Sequence, residues 1–125
     1  MNTYLLLTIG GILHLSVAVF HLLFWHLFKW KIDLKSLSPI NKSVMPVMNI
    51  CLIIYFLMNA FISFFYPDEL INTNLGVSIS TFITFFWLVR TVLQFIYFDY
   101  KKPVSILLII IFVSLTLIYA SPIIN

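Results

Sequence analysis

Cysteine occurs once in this chain, at Cys51. No intramolecular disulfide can form, redox exchange by a cysteine pair is excluded, and an isolated cysteine in an apolar stretch packs as a small hydrophobe. Acid is almost as scarce: Asp33, Asp68, Glu69 and Asp99 are its only carboxylates, and none falls inside a long apolar segment. Paired-acid catalysis therefore has no partners there. Proton-coupled export through an intramembrane acid has no carrier unless a histidine takes that part. Glycine is limited to Gly10, Gly11 and Gly76, too few and too scattered for a phosphate-cradling loop. Histidine is confined to His14, His21 and His26, so no serine–histidine–carboxylate set can be assembled. General acid–base work would rest on His21 alone, and the reading is non-enzymatic.

What is abundant is apolar surface: 62% of the 125 residues are hydrophobic and 9% are charged, a balance no soluble domain of this length needs. Four segments, about 4–28, 44–66, 75–98 and 104–120, each approach the ~20 residues that carry a helix across a bilayer core. They lack the short alternating pattern of membrane β-strands. The predicted fold is all-α, an integral membrane four-helix bundle of up-down topology forming one domain over 1–125.

The breaks are punctuated. Lys29 to Lys35 alternates charge with apolar side chains, as an interfacial segment does. Ser38-Pro39 reads as a helix start whose hydroxyl accepts a free N–H, and Pro46 as a bend one or two turns further on. Tyr66-Pro67-Asp68-Glu69 closes the second span. Lys101-Lys102-Pro103 leaves so short a link that spans three and four must be antiparallel neighbours. Lys29, Lys31, Lys35 and Lys42 load the first loop and Lys101 and Lys102 the third, whereas the second carries only acid. The lysine rule makes both lysine loops cytoplasmic and the termini external, N-out and C-out. Met1 to Thr8 lacks a basic n-region, so span one is expected to remain. The net charge of +3 is met by anionic headgroups and implies no nucleic acid.

Arg90 lies near the middle of span three, where an arginine costs on the order of 2.5–3.5 kcal/mol unless it finds water, a partner or the interface. Helical geometry puts His21, Asn49, Arg90 and Gln94 within roughly 6–13 Å of the cytoplasmic surface, and gives Arg90 and Gln94 one face with Trp87 beside them. A polar pocket follows, open towards the cytoplasm: Arg90 anchors an anion or carbonyl, His21, Gln94 and Asn49 orient it, and Trp87 walls it. His14 and Asn59 form a deeper layer. The competing reading is structural, with Arg90 snorkelling to the headgroups and the histidines bonding across helix interfaces.

A metal or haem centre is the alternative, as in an electron-transfer subunit. His14 and His21 stand about 10.5 Å apart along one helix, too far for one ion. The weak candidates are therefore His14 or His21 with Met48, or with Met45 or Met58, or a set completed by a second subunit.

The run Leu37-Ser38-Pro39-Ile40-Asn41-Lys42, with Phe86-Trp87-Leu88-Val89-Arg90, Gln94-Phe95 and Asp99, resembles a group of small, uncharacterised bacterial four-span membrane proteins with an LSPLN-like loop and an FWLxRxxxQF-like third helix. The resemblance covers most of the chain and includes His14 and His21. It implies the four-span topology and draws attention to Arg90, Trp87 and Gln94, but it brings no activity. Its pattern has a histidine early in span two where this chain has Met48, which counts against a metal centre using that position. The expected partners are membrane lipids, a quinone or small anionic ligand, or a protein, with the chain acting as a homodimer or as an accessory subunit.

Overall fold

Helix α1 (Thr3–Leu22) begins at Asn2, whose side-chain oxygen accepts from the Tyr4 amide at 2.8 Å and so satisfies one of the free donors of the first turn. The computed structural model describes residues 2–124; Met1, which opens the segment weighed as a leader, and Asn125 lie outside it. Helix α1 is shorter than the apolar stretch expected to form it. The ladder lapses at Leu23, restarts as α2 (Phe24–Leu27) and turns at Lys29, which takes a left-handed φ of 53°. No proline or glycine marks these breaks. The rings of Phe20, Phe24 and Phe28 pack on one another, and Trp30 packs on Phe24 and Trp25. Turning the chain back in this way buries Trp30 and Leu34, so the lysine segment forms α3 (Trp30–Asp33) and a 3-10 turn (Leu34–Ser36) rather than lying wholly at the surface.

Helix α4 (Pro39–Phe65) starts where Ser38-Pro39 predicts, with proline in the first turn, but the Ser38 hydroxyl makes no capping bond. It runs through Pro46 without a break. The short α5 (Pro67–Asn72) follows, with Asp68 and Glu69 in its first turn, where the helix dipole favours them. The Thr73 hydroxyl then accepts from Gly76 N at 2.9 Å and donates to Glu69 O at 2.6 Å, folding α5 tightly onto α6 (Asn74–Tyr97). At Gly76 an added Cβ would lie 1.7 Å from the Glu69 carbonyl oxygen, so only glycine fits this corner. Helix α7 (Pro103–Ile124) packs against α6, as the short Lys101-Lys102-Pro103 link requires. The described residues contain no strand, and these four long helices are each long and apolar enough to cross a membrane.

The helices form a ring with one open side. α1 packs on α4 and on α7, and α7 on α6, but among the described residues no Cα of α4 comes within 8 Å of a Cα of α6. Small residues permit the close pairs: a Cβ at Gly10 would meet the Tyr119 hydroxyl at 2.8 Å, and one at Gly11 the Phe64 ring at 2.6 Å. The open α4/α6 seam is bridged only through side chains. Tyr55 and Phe86 stand with ring centroids 5.0 Å apart, and Phe56 and Trp87 are stacked at 5.4 Å. Leu7, Phe56, Ile83, Trp87, Leu115 and Tyr119 fill the centre.

Candidate functional site

The deepest polar group is His14 on α1, which is fully buried and has both ring nitrogens engaged. Indole Nε1 of Trp87 is only a donor and lies 3.0 Å from His14 Nε2, so Nε2 presents its lone pair. The proton is therefore on Nδ1, which donates to the Gly10 carbonyl at 3.0 Å and faces the Tyr119 oxygen at 3.1 Å. Ser63 Oγ donates to Asn59 O at 2.7 Å, which leaves it to accept from the Tyr119 hydroxyl at 2.5 Å. Asn59 Nδ2 lies 3.3 Å from His14 Nε2 and closes the set. Each donor direction is thus fixed, and one neutral imidazole joins all four long helices. The inward faces explain it: His14 follows Gly10 by one turn, and Phe56, Asn59 and Ser63 recur at helical spacing on α4.

Nearer the lysine-bearing end lies a second layer. Arg90 is half-buried, with its guanidinium carbon 4.7 Å from the Phe112 ring centroid and 5.5 Å from that of Phe98. These cation–π contacts offset part of the cost of the charge, by about 0.5–2 kcal/mol. Its Nη1 is buried with no hydrogen-bond acceptor, and no carboxylate pairs with it among the described residues. The head borders a small cavity of about 40 Å³ shared with His21, Phe56, Phe86 and Trp87. On the other side of Phe86 the same arginine borders an open groove of about 440 Å³ along the α4/α6 seam, lined by Leu52, Tyr55, Phe82, Phe85, Val89 and Leu93. His21 donates from Nδ1 to Val17 O at 2.9 Å, because a carbonyl can only accept. Its Nε2 lone pair has no partner among the described residues.

Of the residues singled out from sequence, the structure brings His21, Arg90 and Trp87 around this cavity. Asn49 joins through the backbone: its Nδ2 donates to His21 O at 2.9 Å, while its Oδ1 is buried without a partner. Gln94 is elsewhere, donating to Ser105 Oγ at 2.9 Å and lining a separate groove with Phe20, Phe28 and Lys102. Trp87 does more than wall the Arg90 layer, since its N–H belongs to His14. Met48 is 58% exposed and lines, with His21, Met45 and Trp30, a shallow groove of about 180 Å³. A metal at His14 would have to displace Trp87 and Asn59 or the Gly10 bond, and no group of three histidine, cysteine or acidic side chains is gathered to hold an ion among the described residues.

Sequence reasoning put Ser63 on one stripe of span two with Asn49 and Phe56 and counted Tyr119 among the polar residues of span four, but it joined neither to His14 and did not single out Phe112. A usable signal exists: Ser105, Phe112 and Tyr119 recur every seven residues on the largely aliphatic α7, and each is buried.

Comparison of the chain with protein-family models, with curated proteins and with solved structures finds no match.

Proposed function

We propose that this is a non-enzymatic, multi-pass membrane protein that binds an anionic amphiphile, with Arg90 anchoring the head and the α4/α6 seam receiving the apolar part. Its lysine-bearing loops face the cytoplasm in this reading. The observation that carries it is the position of Arg90: an uncompensated cation at the boundary between an apolar groove of ligand size and a small cavity. A buried charge without a counter-charge is costly, so a negative head gains more there than a neutral carbonyl does. That favours a lipid head over a quinone. The groove opens on the side of the bundle, which favours access from the bilayer over the access from the cytoplasm expected from sequence.

Native mass spectrometry of the mildly solubilised protein, with an ultraviolet–visible spectrum of the same sample, tests this. The expected result is a copurified anionic lipid on the wild type that is absent from Arg90→Ala and partly kept in Arg90→Lys. Retention of the lipid by Arg90→Ala would overturn the reading, as would a Soret band, a bound quinone or an acidic partner chain in place of the lipid.

A further inference from the structure

We infer that the head recognised beside Arg90 is a terminal phosphate monoester on a lipid, and that His21 is the residue that selects it over phosphodiester and carboxylate lipids. This rests on the proposed binding of an anionic amphiphile at Arg90 and adds the identity of the head.

Two features of the cavity carry it. The first is size. About 40 Å³ admits on the order of three oxygen-sized groups, since one water needs roughly 10–15 Å³ of such space. A phosphodiester carries a second organic substituent on its phosphorus, and nothing in the cavity leaves room for it beside Phe56, Phe86 and Trp87. A terminal phosphate ends in oxygens alone.

The second is complementarity. Arg90 supplies a positive donor, and its Nη1 is buried with no protein acceptor. His21 also lines this cavity, and its Nε2 has no partner among the described residues, since Nδ1 is committed to the Val17 carbonyl at 2.9 Å. Its ring is stacked on Phe24 at 4.3 Å and meets Phe56 edge-on at 5.0 Å, and turning the ring over would break the Nδ1 bond to Val17. The pair therefore suits a head that offers an anionic oxygen and a proton together. A phosphomonoester, whose second pKa is about 6, still holds that proton in about one molecule in ten at pH 7 and in about half at pH 6. One oxygen then meets the guanidinium while a second shares its proton with His21 Nε2. A diester phosphate and a fatty-acid carboxylate have no proton left to share and leave Nε2 unsatisfied.

The test uses the delipidated full chain in detergent and native mass spectrometry with competing lipids of matched acyl chains: phosphatidic acid, phosphatidylglycerol and a fatty acid. Wild type is expected to prefer phosphatidic acid by roughly tenfold, the scale of one hydrogen bond to a charged group. His21→Phe is expected to bind all three anions about equally, and His21→Gln, which keeps an acceptor, to recover part of the preference. Arg90→Ala is expected to bind none. Equal binding of the three lipids by wild type, or a full preference kept by His21→Phe, would overturn the phosphomonoester inference while leaving anion binding intact. Failure of wild type to bind any of them would overturn the Arg90 reading itself. Displacement of phosphatidic acid by an equal concentration of inorganic phosphate would overturn the lipid source. The wild-type competition decides the matter even where a variant fails to fold.

Discussion

The indole N–H of Trp87 donates to Nε2 of His14 across 3.0 Å, joining α6 to α1, two helices with no close backbone approach of their own. That one bond fixes the imidazole as neutral and protonated on Nδ1, and from it follow the directions of the bonds to Gly10, Tyr119 and Ser63. In hydrocarbon, such polar links do work that apolar packing does not, since lipid tails compete equally well for apolar faces.

Replacing His14 is therefore expected to be costly. His14→Leu leaves the Trp87 and Asn59 donors without their acceptor, and destabilisation of about 1–3 kcal/mol is expected by reversible unfolding in mixed micelles. Trp87→Phe is expected to cost less alone. In the double variant the two losses should not add, because both remove the same bond. Additive losses would mean that the two side chains contribute separately, through packing.

The three glycines should differ in rank. Gly76→Ala forces a Cβ against the backbone of Glu69, which has no side-chain freedom to yield, and a loss of about 3 kcal/mol or failure to fold is expected. Gly10→Ala and Gly11→Ala press on the Tyr119 and Phe64 rings, which can shift, so about 1–2 kcal/mol is expected from each. Thermal unfolding of the three variants checks the order, and a tolerant Gly76→Ala would contradict the tight α5–α6 corner.

Much of this architecture is legible in the sequence, because length and hydropathy alone decide whether a helix can cross a bilayer. The short Lys101-Lys102-Pro103 link likewise dictates that α6 and α7 pair. The turn at Lys29 falls where span one was expected to end, but the lapse at Leu23 was not legible, since no helix-breaking residue marks it and it accompanies the packing of Phe24 and Trp30 on each other. For the site, helical depth brought His21, Asn49 and Arg90 to one level and His14 with Asn59 to another. The sharing of a face by Arg90 and Gln94 did not carry them to one cavity. Gln94 turns to Ser105 instead, and the partner of a side chain depends on which neighbouring helix lies opposite, which one helix's periodicity does not contain. The open α4/α6 seam is of the same kind, a property of helix placement alone.

Orientation can be read by labelling. In a Cys51→Ser background, Ser36→Cys and Asn72→Cys place exposed thiols at opposite ends of the bundle. With the lysine loops inside, a membrane-impermeant maleimide added to intact cells is expected to label Asn72→Cys and spare Ser36→Cys, the latter reacting only after lysis. The reverse pattern would turn the protein over and put the Arg90 cavity near the outer leaflet.

Arg90→Met separates a ligand anchor from a structural pillar. If Arg90 serves binding, the bundle carries an unpaired charge at a cost, and an apolar side chain of similar length should raise stability by about 1–2 kcal/mol, the relief of burial less the lost contacts with Phe112 and Phe98. The same substitution should abolish anionic lipid binding, so stability and occupancy move in opposite directions. Were Arg90 present for the bundle's sake, held between two rings with its head drawn towards the headgroups, Arg90→Met would lower the unfolding midpoint and leave lipid occupancy where it was. Measuring unfolding on a delipidated preparation, and lipid occupancy by native mass spectrometry after lipid is added back to the same preparation, keeps the two effects apart, because lipid bound to the wild type would otherwise add its own stabilisation and mask the gain.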